Sequence, residues 1–154
     1  MKEFIMKILF IKMMISGIAG TAVMTIVAAM APMMGMPEMS PPAKIAAMTG
    51  LPLAAGWIMH FMIGIMFAAL YGFIFYPKVD SPSKRISYGL LFGLVAFVIG
   101  QIGMMVMANF FSAPPMQAML PLMMGSAMGH LVYGLTVAFV YTVKVEGGHE
   151  HAIA

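Results

Sequence analysis

Apolar residues in this chain do not recur at the spacing of a half-buried surface helix; they run on. Four apolar stretches, about residues 13–31, 53–76, 86–111 and 121–143, are long enough to cross the hydrocarbon core of a bilayer, which takes roughly 20 helical residues. Inside a bilayer each backbone N–H and C=O needs a partner, and runs of this length far exceed a barrel strand, so helices are predicted. Proline and glycine mark the joints: APMMGMPEMSPP after the first run, YPKVDSPSKR after the second, SAPP after the third. The expectation is an all-α polytopic membrane protein with four transmembrane helices. It forms a single membrane domain over residues 1–154, with a short tail at 144–154.

A second pattern lies across these runs. The phrase LPLAAGWIMHFMIGIMFAALYG, beginning at Leu51, is echoed by LPLMMGSAMGHLVYGLTVAFVYT, beginning at Leu120. Pro41-Pro42, Leu51-Pro52-Leu53, Gly56, His60, Gly64, Ala68 and Tyr71 correspond in order to Pro114-Pro115, Leu120-Pro121-Leu122, Gly125, His130, Gly134, Ala138 and Tyr141. The spacing from histidine to tyrosine is the same in both, and one residue is inserted before His130. Ile15-Ser16-Gly17 is echoed more faintly by Ile86-Ser87-Tyr88-Gly89. This pattern predicts a tandem repeat of two-helix hairpins, about 13–76 and 86–143. Each unit has an even number of spans, so both enter the membrane in the same sense, as a parallel repeat.

On a helix, histidine, glycine, alanine and tyrosine at i, i+4, i+8 and i+11 share one stripe. Gly64, Ala68, Gly134 and Ala138 would let a neighbouring backbone come close. The stripes are therefore expected to be packing seams, with the second and fourth spans meeting near the pseudo-axis. Gly89, Gly93, Gly100 and Gly103 give the third span its own small-residue face, and Ser16, Gly17, Gly20 and Thr21 do so for the first.

Composition agrees with a membrane setting: 62% of the 154 residues are hydrophobic and 8% are charged, against about 25% charged in soluble domains. The net charge of +3 is too small and scattered to suggest nucleic acid as a partner. It speaks to topology instead. Lys2, Lys7 and Lys12 precede the first span, Lys78, Lys84 and Arg85 separate the second from the third, and Lys144 follows the fourth. By the positive-inside rule both termini and the middle loop are expected on the cytoplasmic side. The lysines and small residues near the N-terminus resemble a signal peptide, but Lys12 interrupts its apolar region and the run continues past Ala22, which favours an uncleaved span.

Candidate chemistry is sparse. Cysteine is absent, which excludes disulfides and thiolate sites. The spans hold no acidic residue, which weighs against ion-coupled transport. No Ser-His-Asp set, carboxylate pair or phosphate loop occurs, so no enzyme is expected. His60 and His130 suit either of two roles: hydrogen bonds to a neighbouring helix, or ligation of a shared metal or a b-type haem. Methionine is abundant, 22 residues, with Met30, Met33, Met34, Met36 and Met39 at the first outer loop and Met116, Met119, Met123 and Met124 about the second. Thioethers are soft ligands for copper(I), so Met33, Met36, Met39, Met116 and Met119 join the histidines as candidate metal ligands; equally, methionine is an adaptable apolar filler. His149 and His151 in the tail are a weak metal tract or a solvated end.

The stretch GIAGTAVMTIVAAMAPMMGMP followed by the histidine helix resembles small four-span bacterial inner-membrane proteins of unknown function. That resemblance implies a multi-pass protein of the cytoplasmic membrane and carries over no catalytic or binding residue. The expected role is a small subunit or accessory factor of a membrane assembly, its partners the lipid bilayer and other membrane subunits or its own copies. A copper(I) or b-haem protein is the alternative.

Overall fold

The computed structural model describes residues 2–111 and 119–141, the side chains of residues 2 and 119 excepted. Pro114, Pro115, Met116, Lys144, His149 and His151 lie outside the described residues, as does the side chain of Met119. Five α-helices follow in order: α1 (Lys2–Ala29), α2 (Pro41–Thr49), α3 (Leu53–Ile74), α4 (Pro82–Phe110) and α5 (Met119–Tyr141), with no strand among the described residues. Four of them, all but α2, are long and apolar enough to cross a membrane.

Local chemistry sets the ends. Ser81 caps α4 by accepting from Lys84 N at 3.4 Å, with proline in the first turn, where its missing N–H has no partner to lose. Ser40 does the same for α2, accepting from Ala43 N at 3.4 Å ahead of Pro41 and Pro42. Gly50 closes α2 at φ 69°, a left-handed turn that glycine alone makes without strain. The N-terminus of α1 lies well before residue 13, where the apolar run begins, because lysine interrupts hydropathy without interrupting helix.

The long helices pack in the order α3–α1–α5–α4, and at one end Tyr71 and Phe75 of α3 also reach Phe92 of α4. Helix α1 packs against α3 on one side and α5 on the other, α5 packs against α4, α2 lies on α3, and α3 touches α5 only lightly. The second and fourth spans meet only along part of their stripes, where Ala68 and Tyr71 share a buried cluster with Ala138 and Tyr141; the glycines of the stripes meet other helices. Gly64 faces Thr21 and the Gly17 carbonyl of α1 instead. Gly134 faces the Gly89 carbonyl and Gly93 of α4, whose N and Cα lie 2.5 and 2.7 Å from where a Cβ on Gly134 would stand. Backbones approach most closely where both helices are small, and Gly17 and Thr21, like Gly89 and Gly93, provide the second half of such an approach.

Helices α3 and α5 converge at the lysine-rich end, through aromatic rings. Tyr71 lies 5.7 Å from Tyr141 and 5.2 Å from Phe92, Phe75 lies 5.4 Å from Phe92, and Tyr76 lies 4.8 Å from Tyr141, all between ring centroids. Tyr71, Phe92 and Tyr141 are fully buried. Offset and tilted pairs of this kind contribute about 0.5–1.5 kcal/mol each beyond the area they bury. Farther along, Tyr133 Oη donates to the Gly64 carbonyl at 2.5 Å, tying α5 to α3 across the glycine face of α1.

Candidate functional site

His60 is held on α3 facing α1. Its Nε2 lies 3.0 Å from Thr25 Oγ1, and the same hydroxyl donates to the Thr21 carbonyl at 2.7 Å. A hydroxyl has one hydrogen, and here the carbonyl takes it. Thr25 therefore accepts from Nε2–H, which leaves Nδ1 with its lone pair. Thr25, one of the few polar side chains of the first span, carries this link between helices.

His130 makes a different bond. Its Nδ1 lies 2.7 Å from the carbonyl of Ser126, one turn back on its own helix. A carbonyl only accepts, so Nδ1 carries the hydrogen and Nε2 the lone pair. That Nε2 looks toward α4, 3.3 Å from where a Cβ on Gly100 would stand, and the ring meets Phe97 edge-on at 5.8 Å. Gln101 Nε2 donates to Ser126 Oγ at 3.3 Å alongside. Each repeat-related histidine thus faces the first helix of its own repeat, α1 for His60 and α4 for His130, but one bonds between helices and the other within its own.

Each ring donates one N–H and keeps one basic nitrogen, which is how a metal-ligating histidine is held. No group of three His, Asp or Glu side chains able to hold a metal occurs among the described residues. Between α3 and α5 the space is taken by α1: Gly20 abuts Tyr133 and Val137, and Gly17 abuts Ile65.

The methionines between α1 and α2 separate into two groups. Met33, at 83% exposure, and Met30 and Met34 turn outward. Met36 and Met39 turn inward onto α5, where their sulfurs lie 3.6 and 2.5 Å from the Cβ position of Gly125. A Cβ there would leave Met36 at ordinary contact distance and displace the flexible end of Met39. Gly125, one of the repeated residues, thus has a role its repeat did not reveal.

The sequence profile of a single family covers residues 9–151, nearly the whole chain. The chain belongs to DUF6789, a family of unknown function. No curated protein and no solved structure matches it. In this DUF6789 protein the basic end is the other polar feature. Lys12 Nζ stands over the Tyr76 ring at 5.3 Å and the Arg85 guanidinium over the Phe139 ring at 5.7 Å. Lys84 pairs with Asp80 at 2.5 Å on the exposed surface, and its hydrogen bond holds the Asp80 carboxyl below the ordinary carboxylate range. Exposed pairs of this kind contribute little to stability.

Proposed function

We propose that this DUF6789 protein is a non-enzymatic subunit or accessory factor that packs, through α4, against another transmembrane helix of a partner subunit or of its own copy. In this reading it sits in the bacterial inner membrane with both termini and the middle loop cytoplasmic. The parallel duplication is part of the proposal. The matching approaches of Gly64 to Gly17 and Thr21, and of Gly134 to Gly89 and Gly93, support it.

One observation carries the assembly role. Among the described residues every other helical glycine has a neighbour within 4 Å of where its Cβ would stand, whereas Gly103 has none. Around it on α4 the side chains of Ile99, Ile102, Val106 and Phe110 are exposed, Phe110 by 78%. Glycine in a membrane helix commonly serves close approach, and no described helix of this chain makes that approach. The test is Gly103→Leu. Association with co-purifying subunits or copies, read by light scattering and cross-linking in lipid nanodiscs, is expected to be lost while thermal stability is kept. Unchanged association would refute the reading.

A second reading is favoured by the two inward sulfurs. Met36 and Met39 over Gly125 make the start of a soft copper(I) site at the outer end. Copper retained stoichiometrically under reducing conditions, and lost in Met36→Leu with Met39→Leu, would establish it. A reducible Soret band in the visible spectrum would instead establish b-haem.

A further inference from the structure

The basic end of the bundle holds polar groups that lack partners. Arg85 Nε is buried, and its hydrogen meets no acceptor among the described residues. Tyr71 is fully buried, its hydroxyl is likewise unpartnered, and it lies within electrostatic reach of Arg85. A buried N–H of a charged group left unpaired is costly, and in native proteins such a group usually meets a ligand, ion or water. Asp80, the nearby carboxylate, is committed to Lys84.

The position of Arg85 adds a second argument. Its backbone N–H bonds the Ser81 carbonyl at 3.0 Å, so it belongs to the first turn of α4. That turn contains no acidic residue, although Lys84 and Arg85 both sit there. The positive end of a helix dipole disfavours cations and favours an anion. The surroundings indicate what kind of anion. Phe139, beneath the guanidinium, is 46% exposed, and Ile86 and Leu90, which follow Arg85 on α4, are exposed too. A cation in the first turn of a helix, above an open apolar surface, suits an amphiphile with a negatively charged head.

We propose that Arg85 binds the phosphate of an anionic phospholipid, its planar fork taking two phosphate oxygens, with the acyl chains along Ile86, Leu90 and Phe139. The guanidinium fits this geometry bidentately, where a lysine would offer a point charge. Basic sites between transmembrane helices are a recurrent way of holding lipid head groups. The proposal rests on the membrane-spanning reading of α4 and not on the assembly role.

Native mass spectrometry of the full chain, delipidated and then titrated with phosphatidylglycerol, phosphatidylcholine or inorganic phosphate, tests it. One phosphatidylglycerol per chain is expected, with phosphatidylcholine weaker and inorganic phosphate unable to displace the lipid. Arg85→Gln should weaken phosphatidylglycerol by about tenfold or more, and Lys78→Gln should change it little. Arg85→Lys keeps the charge and guards against misfolding; it too should bind more weakly than wild type. Wild-type affinity in Arg85→Gln or Arg85→Lys would overturn the proposal. So would equal binding of phosphatidylcholine, or displacement by inorganic phosphate, which would point to a free anion.

Discussion

Replacing Gly134 by alanine adds a single methyl group where α4 and α5 run closest together. The new Cβ would stand 2.7 Å from Gly93 Cα and 2.5 Å from Gly93 N, with the Gly89 carbonyl closer still. Ordinary van der Waals separation begins at 3.4 Å, so the gap to the Gly93 α-carbon alone is too small by about 0.7 Å. The obstructing atoms are backbone and cannot rotate away as a side chain could. Helix α4 must move out, and the packing of Gly93 on the His130 carbonyl and Leu131 is disturbed with it. Overpacking of this kind costs about 1–3 kcal/mol, and the rigidity of the neighbours argues for the upper part of that range. The assay is thermal unfolding in detergent, with Gly103→Ala as control, since among the described residues nothing lies within 4 Å of its Cβ position. Gly134→Ala should unfold at distinctly lower temperature and Gly103→Ala should not. If the two variants unfold at the same temperature, α4 and α5 do not meet along this seam.

The His60–Thr25 bond should appear as coupling between His60→Gln and Thr25→Val of roughly 0.6–1.7 kcal/mol in a double-mutant cycle, the range seen for hydrogen bonds between membrane helices; additive effects would mean the two side chains do not interact. Metal content should be unchanged in His60→Gln and His130→Gln if both rings are structural, and its loss from each with the fold intact would make this a metalloprotein. Single cysteines at Lys2, Met36, Arg85 and Met116, introduced into a chain that has none, should react with an impermeant thiol reagent in intact cells only at Met36 and Met116; labelling of Arg85→Cys would sink the proposed topology.

The spans are legible in the sequence because a bilayer demands long apolar runs and little else competes with that signal. Their ends are less so. Lys7 and Lys12 break the apolar run of α1 but not its helix, since hydropathy reports the solvent around a segment and not its backbone. The prolines and glycine around α2 signal a joint, although Ser40-Pro41-Pro42 is a capped helix start. The small-residue stripes are visible as stripes, and Gly64, Ala68, Gly134 and Ala138 are all buried. Which helix each meets is not visible, because a glycine records that something comes close without recording what. The histidines stand out by their rarity in apolar surroundings. Their partners, a threonine on another helix and a carbonyl on the same one, depend on the ring's rotamer and on what the facing helix offers at that level, Thr25 on α1 but Phe97 and Gly100 on α4.

The place of α1 in the packing order bears on how the chain is made. It is the first of the four spans to be synthesised, yet it has two faces to satisfy. Gly17 and Thr21 are met by α3, which follows soon after, whereas Gly20 and Met24 wait for Tyr133, Val137 and Gly129 of α5, the last of the four. During synthesis that second face is lined by lipid alone. A chain truncated after α3 would hold a closed first hairpin with an open glycine flank, and α5 would later have to enter beside it and displace lipid while also seating against α4. The final helix thus fills the flank of α1 that the first hairpin leaves open, and it does so in the last step of the bundle's biogenesis.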